Sequence, residues 1–170
     1  MPYGYVPVPV DRLGRPLAGW WARFLGIFID TLILGIPKQI ATTAIVASTV
    51  SDRNLFSVHL IAGVVIVAIV FAVISVGYFA LLNGSNQGQT VGQMAAGISV
   101  RDADTGGPIP PGRAGLRILV LEPGIALGWI PVVGFFASLY TLVAALSPLW
   151  DDRKQGFHDK MARTQVIKVR

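Results

Sequence analysis

The sequence predicts an all-α membrane protein, a bundle of about four transmembrane helices with the last pair readable as a broken hairpin, carrying a small cytoplasmic β element. Three observations predict it. Hydrophobic residues make up 53% of the chain and charged ones only 14%, with a mean hydropathy of +0.62, whereas an ordinary soluble domain is about one quarter charged. Three apolar stretches are each long enough to cross a bilayer core, which takes about 20 helical residues. Two short β-prone runs, Ile98-Ser99-Val100 and Gln165-Val166-Ile167-Lys168-Val169, sit in polar sequence and are predicted to pair. The chain divides into a Pro-rich tail, 1–17, and a membrane domain, 18–170.

Composition also excludes several classes. The net charge of +5 comes without a groove-reading motif or a basic stripe with interleaved aromatics, so nucleic acid is not an expected partner. Basic loops beside a lipid bilayer account for that charge better. There is no cysteine, which removes disulfides and thiol chemistry. No nucleophile-and-base set, zincin motif or dinucleotide loop is present, so no enzyme, metal or cofactor is expected.

Pro2, Pro7, Pro9 and Pro16 make the tail read as extended, poorly ordered, cytoplasmic chain. The first span starts near Ala18, with Trp20 and Trp21 placed as an aromatic belt, and Pro37 predicts a kink or an early end. Lys38 reads as a residue snorkelling to the far interface. Ser51-Asp52-Arg53-Asn54 forms a short connection. The second span, Leu60 to Leu82, carries no charge, and His59 at its start lacks a second ligand that would make it a metal site. Asn83 to Gly112 is a polar, glycine-rich loop that lacks the Gly-Lys-Ser/Thr ending of a phosphate loop. From Ala114 to Leu149 the sequence is apolar for too long to be one span, and Glu122-Pro123-Gly124 and Gly128-Trp129-Ile130-Pro131 mark two breaks, each a hairpin turn or a helix discontinuity.

The charges at membrane depth are Asp30, Arg117 and Glu122. Arg23 and Asp30 are seven residues apart, about 10 Å along a helix axis, and Arg23 is predicted to lean out to the headgroups. Asp30 then needs another partner, because an ionisable group at mid-membrane costs roughly 2.5–3.5 kcal/mol. Arg117, entering from the same side as Arg23, is the predicted partner. The pair would either fix helix register or give way to a solvated carboxylate that handles an ion. The cluster Asp151-Asp152-Arg153-Lys154 with His158-Asp159 reads as a solvated, self-paired segment. Four crossings with both termini cytoplasmic would put twelve of the fourteen basic residues on one side, leaving Lys38 and Arg53 for the other.

Three stretches together resemble one family. Arg23-Phe24-Leu25-Gly26-Ile27-Phe28-Ile29-Asp30, then Gly88-Gln89-Thr90-Val91-Gly92-Gln93 with Gly97-Ile98-Ser99-Val100, and finally Gly156-Phe157-His158-Asp159-Lys160-Met161-Ala162-Arg163-Thr164-Gln165-Val166 are similar to the RDD family of bacterial membrane proteins, named for one arginine and two aspartates. The resemblance assigns the arginine to Arg23, the first aspartate to Asp30 and the second to Asp159. It departs at Gln93, where the family often carries lysine. It implies a polytopic inner-membrane protein of largely undefined activity, with transport of an ion or small ligand suggested, and Arg23, Asp30 and Asp159 as motif residues; Arg117 joins them as a pathway candidate from its depth alone. The rival reading is a non-transporting scaffold or assembly partner. At 170 residues, a transport role favours a homo-oligomer.

Overall fold

The computed structural model describes residues 8–50, 58–128 and 130–169. The connection over Ser51-Asp52-Arg53-Asn54, and Trp129 of the second break, lie outside the described residues.

Helix α1 (Trp20–Val50) and helix α2 (Val58–Asn83) pack on one another. Pro37 neither ends nor shortens α1, which runs through it for 31 residues, because in lipid a broken helix would strand several backbone groups where one missing N–H strands a single carbonyl. Both helices present Phe24, Phe28, Ile36, Ile66 and Val73 outward, as a bilayer solvent requires. A helix α3 of five residues (Val91–Ala95) leads into strand β1 (Ile98–Asp102).

The second half is shorter. Helix α4 (Pro111–Leu121) starts on a proline at its first position, where no N–H is needed, and buries Ala114, Arg117, Ile118 and Leu121 along one stripe. It stops before Pro123, whose ring disfavours helical backbone at Glu122, and a four-residue α5 (Gly124–Leu127) follows. Helix α6 (Pro131–Leu146) continues as a 3-10 turn over Ser147–Leu149. Helix α7 (Phe157–Met161) leads into strand β2 (Thr164–Lys168). Among the described residues, three helical segments are long and apolar enough to cross a membrane, Trp20–Ser48, Val58–Asn83 and Val132–Leu149. Helix α4 has 11 residues, about 16 Å, and falls short of the roughly 30 Å core on its own.

The two predicted strands pair antiparallel, with Val100 opposite Val166 and Arg101 opposite Gln165. Two strands alone are marginal, and a third segment supports them. Ala18 N donates to Val166 O at 2.8 Å and Lys168 N to Pro16 O at 2.8 Å. Where composition predicts poorly ordered chain, residues 8–17 close into a turn. Asp11 accepts from Leu13 N and Arg15 N, and the Arg15 guanidinium reaches Gly106 O at 2.6 Å. Ala18, Ile98, Val100, Ile109, Ala114 and Val166 form one buried cluster under the strands, and Phe79, Ile118, Leu121 and Ala144 form a second between the helices.

The strand layer contains one backbone motif twice, at an offset of 66 residues. Gly88 (φ 59°) and Lys154 (φ 53°) both take the left-handed conformation, as do Gly97 (φ 66°) and Arg163 (φ 49°). Gly88 N donates to Ser85 O, and Lys154 N to Asp151 O. Gln89 Nε2 donates to Ile98 O at 2.7 Å, and Gln155 Nε2 to Thr164 O at 2.8 Å. Thr90 N is closed by the side chain of Gln93, and Gly156 N by that of Asp159. Because Val100 and Val166 also differ by 66 and lie opposite each other, a local two-fold axis between them carries each copy onto the other.

Candidate functional site

Asp159 sits at the third position of α7, fully buried, where its carboxylate reaches back to the N-cap backbone N–H of Gly156. Here its carboxylate also collects two guanidiniums. Oδ2 accepts from Arg23 Nη1 at 2.6 Å and Gly156 N at 3.2 Å; Oδ1 accepts from Arg117 Nε at 2.8 Å and Thr164 Oγ1 at 3.3 Å. Both arginine side chains are buried. Burial alone would raise the Asp159 carboxyl, but Arg117 and Arg23, with His158 when it carries a proton, outweigh it and hold the group far below the usual carboxylate range. His158 beside it is 3% exposed. Burial lowers its imidazole to about 4, with Asp159 pulling it up and Arg117 and Arg23 pushing it down, so at neutral pH it is uncharged.

Asp30 is satisfied elsewhere and in a different manner. It is 0% exposed, and its three donors are neutral: Tyr78 Oη at 2.7 Å and Gly92 N at 2.8 Å on Oδ1, and Thr90 Oγ1 at 2.5 Å on Oδ2. No cationic group lies within ion-pair distance of it among the described residues. Thr90 is the N-cap of α3, so one carboxylate on α1 pins the first turn of α3 and, through Tyr78, α2 as well. Contact is close enough to require glycine. A Cβ on Gly92 would lie 2.1 Å from Gly26 O and 2.9 Å from the Asp30 carboxylate.

Of the four predicted site residues, the structure therefore brings Arg23, Arg117 and Asp159 together and leaves Asp30 apart. The predicted Asp30–Arg117 pair is absent, because α7 folds back under α4 and offers Arg117 a carboxylate at closer range. Arg23 does not lean out to the headgroups. Its Nε donates to Ala18 O at 3.2 Å and its Nη1 to Asp159. The segment expected to be solvated buries both His158 and Asp159, while Asp151 pairs with Lys160 just beyond it. Tyr78, Thr90 and Gly92 are the partners that sequence reasoning missed. Thr90-x-x-Gln93 is a legible capping-box signature, and it marked the start of α3.

A separate cavity of about 190 Å³ opens between α1, α2 and α5, within the helix layer. Its wall carries Thr31, Lys38, Ser75 and Glu122 among apolar neighbours. Lys38, read from sequence as an interfacial residue, thus shares a cavity with the acid at the first break of the last apolar region. Asp30, one residue before Thr31, does not line it.

The model of the RDD family matches residues 17–163. The uncharacterized protein YxaI of Bacillus subtilis (strain 168) is 26% identical over 160 residues, covering 88% of this chain and 96% of that protein. No solved structure matches.

Proposed function

This chain belongs to the RDD family, and we propose that it handles an ion or small polar solute within the bilayer, through the cavity that holds Lys38 and Glu122 and not through Asp30. The observation that carries the reading is that cavity. Ionisable groups at membrane depth default to function when they face water or a pathway, and Glu122 and Lys38 do so, whereas Asp30 has three protein donors and no open side. At 190 Å³ the cavity has room for a hydrated ion or a solute of a few heavy atoms. The buried aspartates act on this reading as fasteners of the helices around it. The mechanism is non-enzymatic, and the short chain favours a pathway completed by a second copy.

The reading includes four membrane-inserted segments in an inner membrane with both termini cytoplasmic. Its support is that both ends of each half meet in the strand layer. Residues 16–18 before α1 and Gly88 after α2 bond to β2 and β1, the residue after α2 touches Pro111 at the start of α4, and Ser147 at the end of α6 accepts from Phe157 N. A chain that enters at Pro111 and returns at Ser147 needs α4 and α5 as the outward arm.

Proteoliposomes with a trapped pH-sensitive dye, challenged with imposed proton and sodium gradients, test the proposal. Wild type should show a flux that Glu122→Gln and Lys38→Met abolish while thermal stability stays unchanged. A wild type with no flux, or a flux indifferent to both variants, overturns it.

A further inference from the structure

We infer, resting on the Lys38–Glu122 cavity as the solute pathway, that its ligand is a small zwitterion, a carboxylate and an ammonium on one short aliphatic skeleton. The cavity wall carries one charge of each sign, and they do not pair. Among the described residues neither the Lys38 ammonium nor the Glu122 carboxylate has an ion-pair or hydrogen-bond partner, whereas Asp11, Asp102, Asp151 and Asp159 each hold a cation. The two groups are nonetheless close enough for the Lys38 charge to act on Glu122 through space. Lys38 is exposed and Glu122 half-buried, so the cation stands at the rim and the acid further in. Thr31 and Ser75 complete the polar lining. Hydroxyls on apolar helices can donate to their own backbone three or four residues back, as Thr42, Ser48, Ser138 and Thr141 do. Those of Thr31 and Ser75 make no such bond among the described residues, which leaves four polar side chains with unspent capacity around one cavity.

Charge decides the class of ligand. A lone cation is drawn to Glu122 and repelled by Lys38, and a lone anion meets the reverse. A neutral polyol leaves both charges unmatched. A zwitterion matches both and brings no net charge into the bilayer, where a net charge is costly. Its carboxylate goes to Lys38 at the rim and its ammonium to Glu122 inside, with the Thr31 and Ser75 hydroxyls open to the lone pairs and N–H groups left over. Size narrows the choice. The cavity of about 190 Å³ equals the liquid volume of about six waters, which fits alanine or β-alanine. Because Lys38 and Glu122 stand too far apart to pair, the wider charge spacing of β-alanine suits them better. Phe71 and Phe79 in the wall match its methylenes and offer nothing to a hydrated inorganic ion.

Equilibrium dialysis of the purified full-length protein in detergent tests the inference, with radiolabelled β-alanine as probe and labelled propionate and ethylamine, which each carry one of its two charges, as comparators. Wild type should bind β-alanine on the order of tenfold more tightly than either comparator, the equivalent of one charge-assisted hydrogen bond. Glu122→Gln and Lys38→Met should each weaken β-alanine binding by a similar factor. The comparators should cross over: Lys38→Met improves ethylamine binding and Glu122→Gln improves propionate binding, gains that a damaged fold does not produce. Wild-type protein that binds no β-alanine, binds it no better than the comparators, or shows no crossover in the variants overturns the inference. If that happens while proton or sodium flux still depends on Glu122 and Lys38, the pathway stands and carries a bare ion. Binding of β-alanine with the crossover but without any flux keeps the zwitterion site and removes transport.

Discussion

Gln89 and Gln155, 66 positions apart, perform the same act: each donates its side-chain amide to the first carbonyl of the strand that follows it, at 2.7 and 2.8 Å. Gln89→Leu and Gln155→Leu should each destabilise the protein by roughly 1–3 kcal/mol, the range for a backbone acceptor left unmatched. Thermal unfolding of each variant in detergent checks the value, and two markedly unequal losses would show that the copies are not mechanically equivalent.

Removing the Asp159 carboxylate strands two buried cations. Asp159→Asn should therefore cost about 3–5 kcal/mol. A double-mutant cycle with Arg117→Gln should show strong coupling, while the same cycle between Asp30→Asn and Arg117→Gln should be additive, since no contact joins that pair.

The α1–α3 crossing can be probed with one methyl group. Gly92→Ala would drive its Cβ to 2.1 Å from Gly26 O, and α3 cannot move away without breaking the Asp30 bonds, so a loss above about 3 kcal/mol is expected. Gly112→Ala is the control. Nothing lies within 4 Å of its Cβ, it stands in the first turn of α4, and it should be neutral or stabilise by up to about 1 kcal/mol. Denaturant or thermal unfolding of the two variants side by side decides the matter.

His158 gives the fold a pH dependence of known sign. Between about pH 6.5 and 4 the unfolded chain binds a proton that the folded imidazole, lowered to about 4 by burial and by Arg117 and Arg23 against the pull of Asp159, refuses. Stability is level above this window and falls as pH falls through it, by roughly 3 kcal/mol at most. Asp159, whose folded carboxyl lies far below its ordinary value, adds a further loss below about pH 4. Unfolding followed from pH 8 to 4 should show the slope, and His158→Gln should flatten its upper part.

The helices were legible because their cause is local: uncharged runs such as Leu60 to Leu82 admit few alternatives in lipid. The strand pair was legible too, through β-prone residues beside the same predicted face. Partner choice among the buried charges was not. Arg23 and Asp159 lie 136 residues apart, and nothing local in either stretch encodes α7 folding back under α4. Asp30 was recognisable as buried, yet its donors include a tyrosine, a threonine and a backbone N–H, which carry no charge signal. The duplication escaped for a related reason. Between 88–102 and 154–168 only Gln89/Gln155, Ala96/Ala162 and Val100/Val166 are identical, and the turns that define the motif are shared as backbone conformation, with Lys154 and Arg163 standing where the first copy uses glycine.

The separation of Arg23 from Asp159 also sets an order of events during synthesis. At about 5–20 residues per second, the 136 residues between them occupy the ribosome for roughly 7–27 seconds. Throughout that interval α1 exists without its counterion, and β1 waits without β2. The nascent chain must hold a lone guanidinium at the mouth of its first helix until Asp159 is made. A stop codon placed before Gly156 would leave that guanidinium without its Asp159 partner for good.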